Sequence, residues 1–298
     1  MAAHVDPAAW KKKKKKLIIV WTSVGVLTVL LLTAFILLRN RILPALGYAR
    51  AELELSEGKR EKAIDTFCLL GDYRDATARA AEIAYGTDEN AELKELLKNA
   101  VPGDVVPFGR YEQDDNVGNG TEPIRWIVLR KENGRALLLS AEILDEQPYH
   151  LENKAITWKD CSLRGWLNES FLNAAFTDAE RAVIAKTKLD SDNNPASYVS
   201  GGKATEDKVF MFGFNDLLEY LQGCPFIEGL YAYPTAYAAA HGVETHAVYG
   251  TCCWWIRTPG IDRQSAVYCD MVGKPLYSSR VNKQGIGVRP VVWVLIGE

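Results

Sequence analysis

The stretch Cys252–Gly260, "CCWWIRTPG", sets two thiols beside two indoles, then an arginine, then a proline-glycine stop. Neighbours on an extended strand point to opposite faces. If "CWWIR" is a strand, Trp254 and Trp255 cannot share one side. At least one indole then belongs to a core between a sheet and its helices. The other faces a second layer or a ligand groove, where an indole offers a rigid apolar surface and one donor. Arg257 here, and Arg289 in "GVRPVVWV" near the C-terminus, suit ion pairing with carboxylates at a core edge.

From Thr251 onward the text is strand and turn, and a matching strand-rich stretch lies upstream. "IRWIVLRKENGRALLLSAEIL" reads as a hairpin, with Asn133-Gly134 supplying the positive φ angles of a type I′ turn. Between the two lie helical patterns. "CSLRGWLNESFLNAAF" carries Leu163, Trp166, Leu167, Leu172, Ala175 and Phe176 on or near one face. Thr177 and Glu180 form a capping box for "DAERAVI". "KVFMFGFNDLLEYL" reads as a short strand and then a helix capped by Asn215, and "PTAYAAAHG" as a short helix ended by Gly242. Residues 101–298 are therefore an α+β module, with helices in the middle and strands at both ends that can join in one sheet.

The remainder of the chain sets where this module works. Residues 1–16 carry six lysines and one aspartate, a net of +5 against a chain total of −3, which leaves −8 for the rest. No basic stripe recurs downstream, which speaks against nucleic acid as a partner. Leu17–Leu38 is 22 residues without a charge. About 20 such residues cross a bilayer. A cleaved signal peptide has a shorter apolar run of about 7–15 residues and a small-residue cleavage site, whereas this run ends in "RNR". The reading is a single transmembrane helix over 17–38, with the basic tail 1–16 cytoplasmic and everything beyond it extracytoplasmic by the positive-inside bias. The bilayer is thus the first partner, and the lysines suit anionic headgroups. Residues 44–100 are rich in alanine, leucine and charge. Ala63, Ile64, Phe67 and Leu70 recur at helical spacing, with breaks at Gly71 and Gly86. This is a helical spacer, tetratricopeptide-like in its Ala63/Phe67 pair but too short to stack three units.

The series "FGRYEQD", "EPIRWIVL", "TWKDCSLRGWLNESFLNAAF", "DKVF", "PTAYA", "CWWIRTPG" and "GVRPVVWV" resembles an uncharacterised bacterial domain family. That family carries a Trp-Trp-Leu-Arg-Ser-Pro-Gly motif and a terminal Val-Arg-Pro-Ala-Leu-Trp segment, often behind short helical repeats and a membrane anchor. The resemblance spans nearly all of 101–298. Departures are small: Ile256 and Thr258 replace leucine and serine, and Val291-Val292 replaces alanine-leucine. The order of tryptophan strand, loops and closing strand is similar to the C-type-lectin-like fold, which also underlies the formylglycine-generating enzymes. The resemblance brings no activity with it.

Little chemistry is legible. Cys161, Cys224, Cys252, Cys253 and Cys269 are an odd number in the outer module, and adjacent Cys252 and Cys253 sit too close for an unstrained disulfide. Pairing of Cys161 with Cys252 or Cys253 is the arrangement to look for, and small buried hydrophobes are the other. No C-x2–4-C pair is present for zinc, and His241 and His246 fall off a shared helical face. Asp114, Asp115, Asn116 and Asn119 are oxygen ligands of the kind calcium takes, but their spacing departs from the EF-hand loop and favours an acidic hairpin. There is no nucleophile elbow and no phosphate loop. The long polar loop "LDSDNNPASYVSGGKATEDK" is able to wall a groove.

The expectation is a membrane-anchored extracytoplasmic protein that binds a glycan or protein ligand without catalysis, cofactor or metal. By fold analogy the ligand face lies between the tryptophan strand and the closing strand. Its candidates are Trp255, Arg257, Asp262, Tyr268, Asp270, Tyr277, Arg280 and Asn282. Two alternatives stand beside it. One is an oxidoreductase of the formylglycine-generating type using a free cysteine, and the other an envelope scaffold acting through the helical spacer.

Overall fold

The computed structural model describes residues 7–86, 88–225, 230–275 and 277–297. It is a mixed α+β structure in which a long apolar helix and a helical segment precede the sheets. Helix α1 (Pro7–Leu37) passes through a π-turn at Leu38–Ile42 directly into α2 (Leu43–Ser56), which Pro44 enters at its first turn. The Val24–Ser56 stretch contains an 18-residue window with a mean hydropathy of 1.9. Its large apolar side chains from Val24 to Leu38 are exposed, so no protein face covers them. This single N-terminal apolar helix is a membrane anchor or a signal sequence by length and composition.

Helices α3 (Arg60–Leu69), α4 (Ala76–Ala84) and α5 (Ala91–Asn99) follow. Ala63, Ile64 and Phe67 are buried, as their spacing requires. These helices do not stand off from the sheets. Tyr85 donates its hydroxyl to Leu295 O at 2.6 Å, Asn90 Nδ2 donates to Ala179 O at 2.8 Å, and Lys186 pairs with Asp65 at 2.8 Å. One apolar cluster runs from Phe67 and Leu97 through the sheets. The segment expected to act as a spacer is thus built into the core of the module it carries.

Two five-stranded sheets form the rest. The first, in the order β1-β2-β3-β12-β7, joins β1 (Val105–Tyr111), β2 (Glu122–Glu132) and β3 (Arg135–Ser140) to β12 (Val291–Leu295) and β7 (Val209–Phe210). Asn133 and Gly134 have φ of 49° and 69°, which fits the turn read between β2 and β3. The closing strand β12 pairs antiparallel with β3 from Val291↔Leu139 to Leu295↔Arg135, so the two ends of the module share a sheet.

The second sheet runs β10-β9-β8-β11-β4. It contains β4 (Asp145–Glu146), β8 (Trp254–Pro259), β9 (Ser265–Cys269), β10 (Tyr277–Arg280) and β11 (Gly287–Val288). The tryptophan strand β8 is its middle strand, buried at every position. Helix α6 (Ser162–Trp166) runs through a π-turn into α7 (Leu172–Ala175), and α8 (Asp178–Val183) opens on the Thr177/Glu180 capping box. Strands β5 (Thr187–Leu189) and β6 (Thr205–Asp207) form a separate hairpin. Helix α9 (Phe214–Asp216) continues into a π-turn at Leu217–Leu221, and α10 (Ala236–Ala240) ends before Gly242, whose φ is 112°. The cap of α9 is Gly213, not Asn215. The Asp216 side chain accepts from Gly213 N at 2.7 Å, which starts the helix two residues early.

Candidate ligand-binding site

The "RTPG" half of the opening motif holds loops, one residue after another. Arg257 Nη2 donates to Asp190 O at 3.2 Å and Nη1 to Met211 O at 3.1 Å, and Nη1 also pairs with Asp216. Thr258 Oγ1 accepts from Phe214 N at 2.8 Å. Pro259 O accepts from Asn194 Nδ2 at 2.9 Å, and Gly260 O from Ser197 Oγ at 3.2 Å. The strand's last three residues and Gly260 just past it thereby fasten the polar loop after β5 and the start of α9 to the second sheet.

Between these fastened pieces is a cavity of about 300 Å³. Leu137, Phe210, Phe212, Tyr220 and Trp293 give it apolar walls, and Asp190, Asp192, Asn215, Asp216 and Arg257 its polar ones. Asp192 is held in place by Asn215, whose backbone N donates at 3.0 Å and whose Nδ2 donates at 2.9 Å. Gly213 is required here by proximity, since a methyl at its Cα would overlap Asp192 Oδ2 and meet Arg257 Cζ at 3.0 Å. Tyr220 stacks on Phe212 at 5.7 Å, and the Arg130 guanidinium lies 5.7 Å from its ring centroid. Burial pushes its hydroxyl up to about 12, so it stays protonated. Arg135 sits 5.0 Å from the Trp293 ring. Arg257 itself is 5% exposed, and its Nε–H is enclosed without an acceptor. It shapes the cavity floor rather than reaching into it with that group.

The residues expected to form a ligand face are not gathered in one place. Trp255 is fully buried, packs edge-on against Tyr149 and Tyr268, and donates its indole N–H to Gln147 O at 3.0 Å. Trp254 is equally buried and donates to Leu230 O at 3.0 Å. Neither tryptophan is a surface platform, because β8 is covered on both faces. Tyr268 is half-buried on β9, opposite Trp255. Asp262 and Arg280 form an exposed pair at 3.4 Å at one end of β9. Asp270, at the other end, accepts from Val272 N and Lys274 N and closes a turn. The four steps from Ser265 to Cys269, roughly 13 Å at ~3.3 Å each, separate those ends. Asn282 is exposed beyond β10. Tyr277 pairs with Tyr268 through the backbone of β10, and its side chain lies outside the described residues. Of the seven whose side chains are described, only Arg257 lines the cavity. Asp190 and Asp192 were legible only as part of a polar loop, and Phe212, Asp216, Tyr220 and Trp293 carried no signal beyond core patterning.

The other candidates resolve into structural roles. Arg289, read as an ion-pairing partner, makes no salt bridge among the described residues. It donates to Ser140 O at 3.1 Å and Tyr231 O at 3.3 Å and lies 5.3 Å from the Trp254 ring, and burial lowers it to about 10. The six cysteines are all free thiols. Cys161 caps α6 through its Sγ, while Cys252 donates to Ala232 O, so the pairing looked for between them is absent. Burial raises Cys161 and Cys252 to about 12 and Cys253 to about 11. In the acidic hairpin the converging oxygens are those of Glu112, Asp114 and Glu122, within 4.8 Å of one another, and not the Asp114/Asp115/Asn116/Asn119 set. Asp114 accepts from Asn116 N and Asn119 Nδ2, bonds that lower its pKa. Asp115 lies 3.6 Å from His241.

A family model described as a domain of unknown function, DUF6273, matches residues 133–296, more than half of the chain. The chain belongs to the DUF6273 family. The matched DUF6273 span begins at the Asn133-Gly134 turn and ends with β12, so it contains both sheets' central strands, the "CWWIRTPG" motif and the cavity. Strands β1 and β2 and the helical segment lie before it. No curated protein and no solved structure matches the chain.

Proposed function

We propose that this DUF6273 protein is a single-pass membrane protein with a C-type-lectin-like extracytoplasmic module that binds a ligand, without catalysis, in the cavity beside Arg257. One observation carries the reading. A strand-end motif fastens two separate segments around a concave site with aromatic walls and fixed carboxylates. That combination, a mostly apolar hollow with a few oriented polar groups, is how small-molecule and chain-end sites are built, from about 300 Å³ upward. The fold reading draws support from the return of β12 to the first hairpin, and the topology from the apolar helix behind six lysines. Chemistry through a free thiol finds less support. The thiolate is the nucleophile, and the thiols of Cys161, Cys252 and Cys253 are pushed well above neutrality by burial.

The test has two arms. Protease added to intact cells is expected to digest the module; protection until the envelope is opened removes the topology. The detergent-solubilised full chain is expected to be retained on immobilised envelope polysaccharide and peptide fractions, and an Asn215→Trp variant that plugs the cavity to pass through. Equal retention of both proteins removes the cavity from the function.

A further inference from the structure

The cavity's one buried cation is already paired, which bears on what enters it. Asp216 is paired with Arg257, and Asp192 Oδ2 and the same guanidinium both border the space beside Gly213. Asp190 and Lys188 share the rim. An anionic ligand would meet carboxylates at Asp190, Asp192 and Asp216. A cationic one would meet rings that already carry guanidinium groups, Arg130 at Tyr220 and Arg135 at Trp293. What remains unfilled is acceptor capacity. Asp192 holds each of its two Asn215 bonds on a different oxygen, which leaves a lone pair on each. The facing walls are apolar and aromatic.

From this we infer that the ligand is a neutral, hydroxyl-rich ring, namely a pyranose unit at the end of an uncharged glycan. Its C–H face packs against the half-buried Tyr220 on the apolar wall and its hydroxyls donate to Asp192 and Asp190. A sugar ring presents these two surfaces at once, an apolar face and a rim of donors. The volume of about 300 Å³ admits the end of a chain and not a long stretch of it. Recognition uses side-chain acceptors directly, so it needs no divalent cation. The inference rests on the binding reading above and names the ligand class for the same cavity.

Titration of the full chain in nanodiscs tests it. One set of probes is neutral di- to tetrasaccharides of gluco, galacto, manno and N-acetylglucosamine configuration. The other is peptides ending in lysine, arginine or glutamate. At least one neutral sugar is expected to bind. Asp192→Asn, and separately the exposed Asp190→Asn, is expected to weaken it about tenfold, which corresponds to one lost hydrogen bond of about 1.4 kcal/mol. Glu152→Gln, on a distant loop, and excess chelator should leave it unchanged. Asp190→Asn leaves untouched the backbone carbonyl that Arg257 uses, Asp192→Asn keeps one of the two acceptors that Asn215 uses, and an unchanged melting temperature shows that they fold. If peptides bind with the same sensitivity and sugars do not, the cavity stands and the sugar inference falls. Sugar binding that chelator abolishes, or that ignores both aspartate variants, also overturns it. If neither probe set binds, the inference and the binding reading fall together.

Discussion

The two flanks of strand β8 put similar residue types to different uses. On one flank, Arg257 is buried and ties Asp190 O, Met211 O and the Asp216 carboxylate around a cavity. On the other, Arg280 faces solvent and meets an equally exposed Asp262 at 3.4 Å and Gln264 at 3.1 Å. Both arginines stood together in the sequence as one polar face. The difference teaches that an arginine's value to a site depends on what it holds still. A buried guanidinium with several acceptors fixes geometry, while an exposed one in a loose pair fixes little.

Replacement on both flanks gives the largest contrast. Arg257→Met leaves Asp216 without its counter-charge and frees two carbonyls. Breaking one partner of a buried pair costs about 3–5 kcal/mol. Arg280→Ala removes an exposed pair, a change of about 0–1 kcal/mol. Urea unfolding of the solubilised full chain, followed by tryptophan emission, is expected to separate the two by at least about 2 kcal/mol on these figures. Similar midpoints for both variants would break the comparison.

Local signals were legible because they act within a few residues. The type I′ turn at Asn133-Gly134, the Thr177/Glu180 box and the positive φ of Gly242 each follow from the residue's own backbone preference. The joining of first and last strands was legible from the placement of the strand patterns. The site was not. Leu137, Asp192, Tyr220, Arg257 and Trp293 meet only because β12 crosses back to β3 while β8 belongs to the other sheet. Alternation along β8 correctly sends Trp254 and Trp255 to opposite faces, but cannot say that both faces are covered. At the start of α9, the shape of Asn215 suggested a cap, and the real determinant is the space Gly213 leaves for Asp192.

That space is the next place to sharpen the contrast. Gly213 has φ of −91°, so alanine fits the backbone, and only the collision with Asp192 and Arg257 opposes it. Overpacking of this kind costs about 1–3 kcal/mol. Gly165, inside α6, has nothing within 4 Å of an added methyl. There alanine is expected to stabilise by up to about 1 kcal/mol through helix propensity. Melting curves of Gly213→Ala and Gly165→Ala should move in opposite directions. If both rise, the cavity wall is softer than its hydrogen bonds imply.

The smallest effect lies on the exposed flank. His150 donates its backbone N–H to Val281 O at 2.7 Å, just beyond β10, and its Nδ1 accepts from Ser162 N at 3.1 Å. The ring is therefore neutral with its proton on Nε2, an atom that is enclosed without a partner. Burial lowers its pKa below the ordinary 6.5, with Lys154 adding to the shift and Glu152 opposing it. Protonation would also set an N–H against the Ser162 donor. Because the folded value lies below the unfolded one, the unfolded chain takes up the proton first as pH falls. The stability this histidine contributes is complete above 6.5 and is lost as pH drops from 6.5 through the lowered folded value. His150→Asn keeps an acceptor for Ser162 N and cannot titrate. The melting temperature of the native chain is expected to fall more than that of the variant between pH 7.5 and 5.5. Parallel curves would mean that Nδ1 is not committed to the Ser162 bond, and that this flank is as loosely held around β4 and α6 as it is at Arg280.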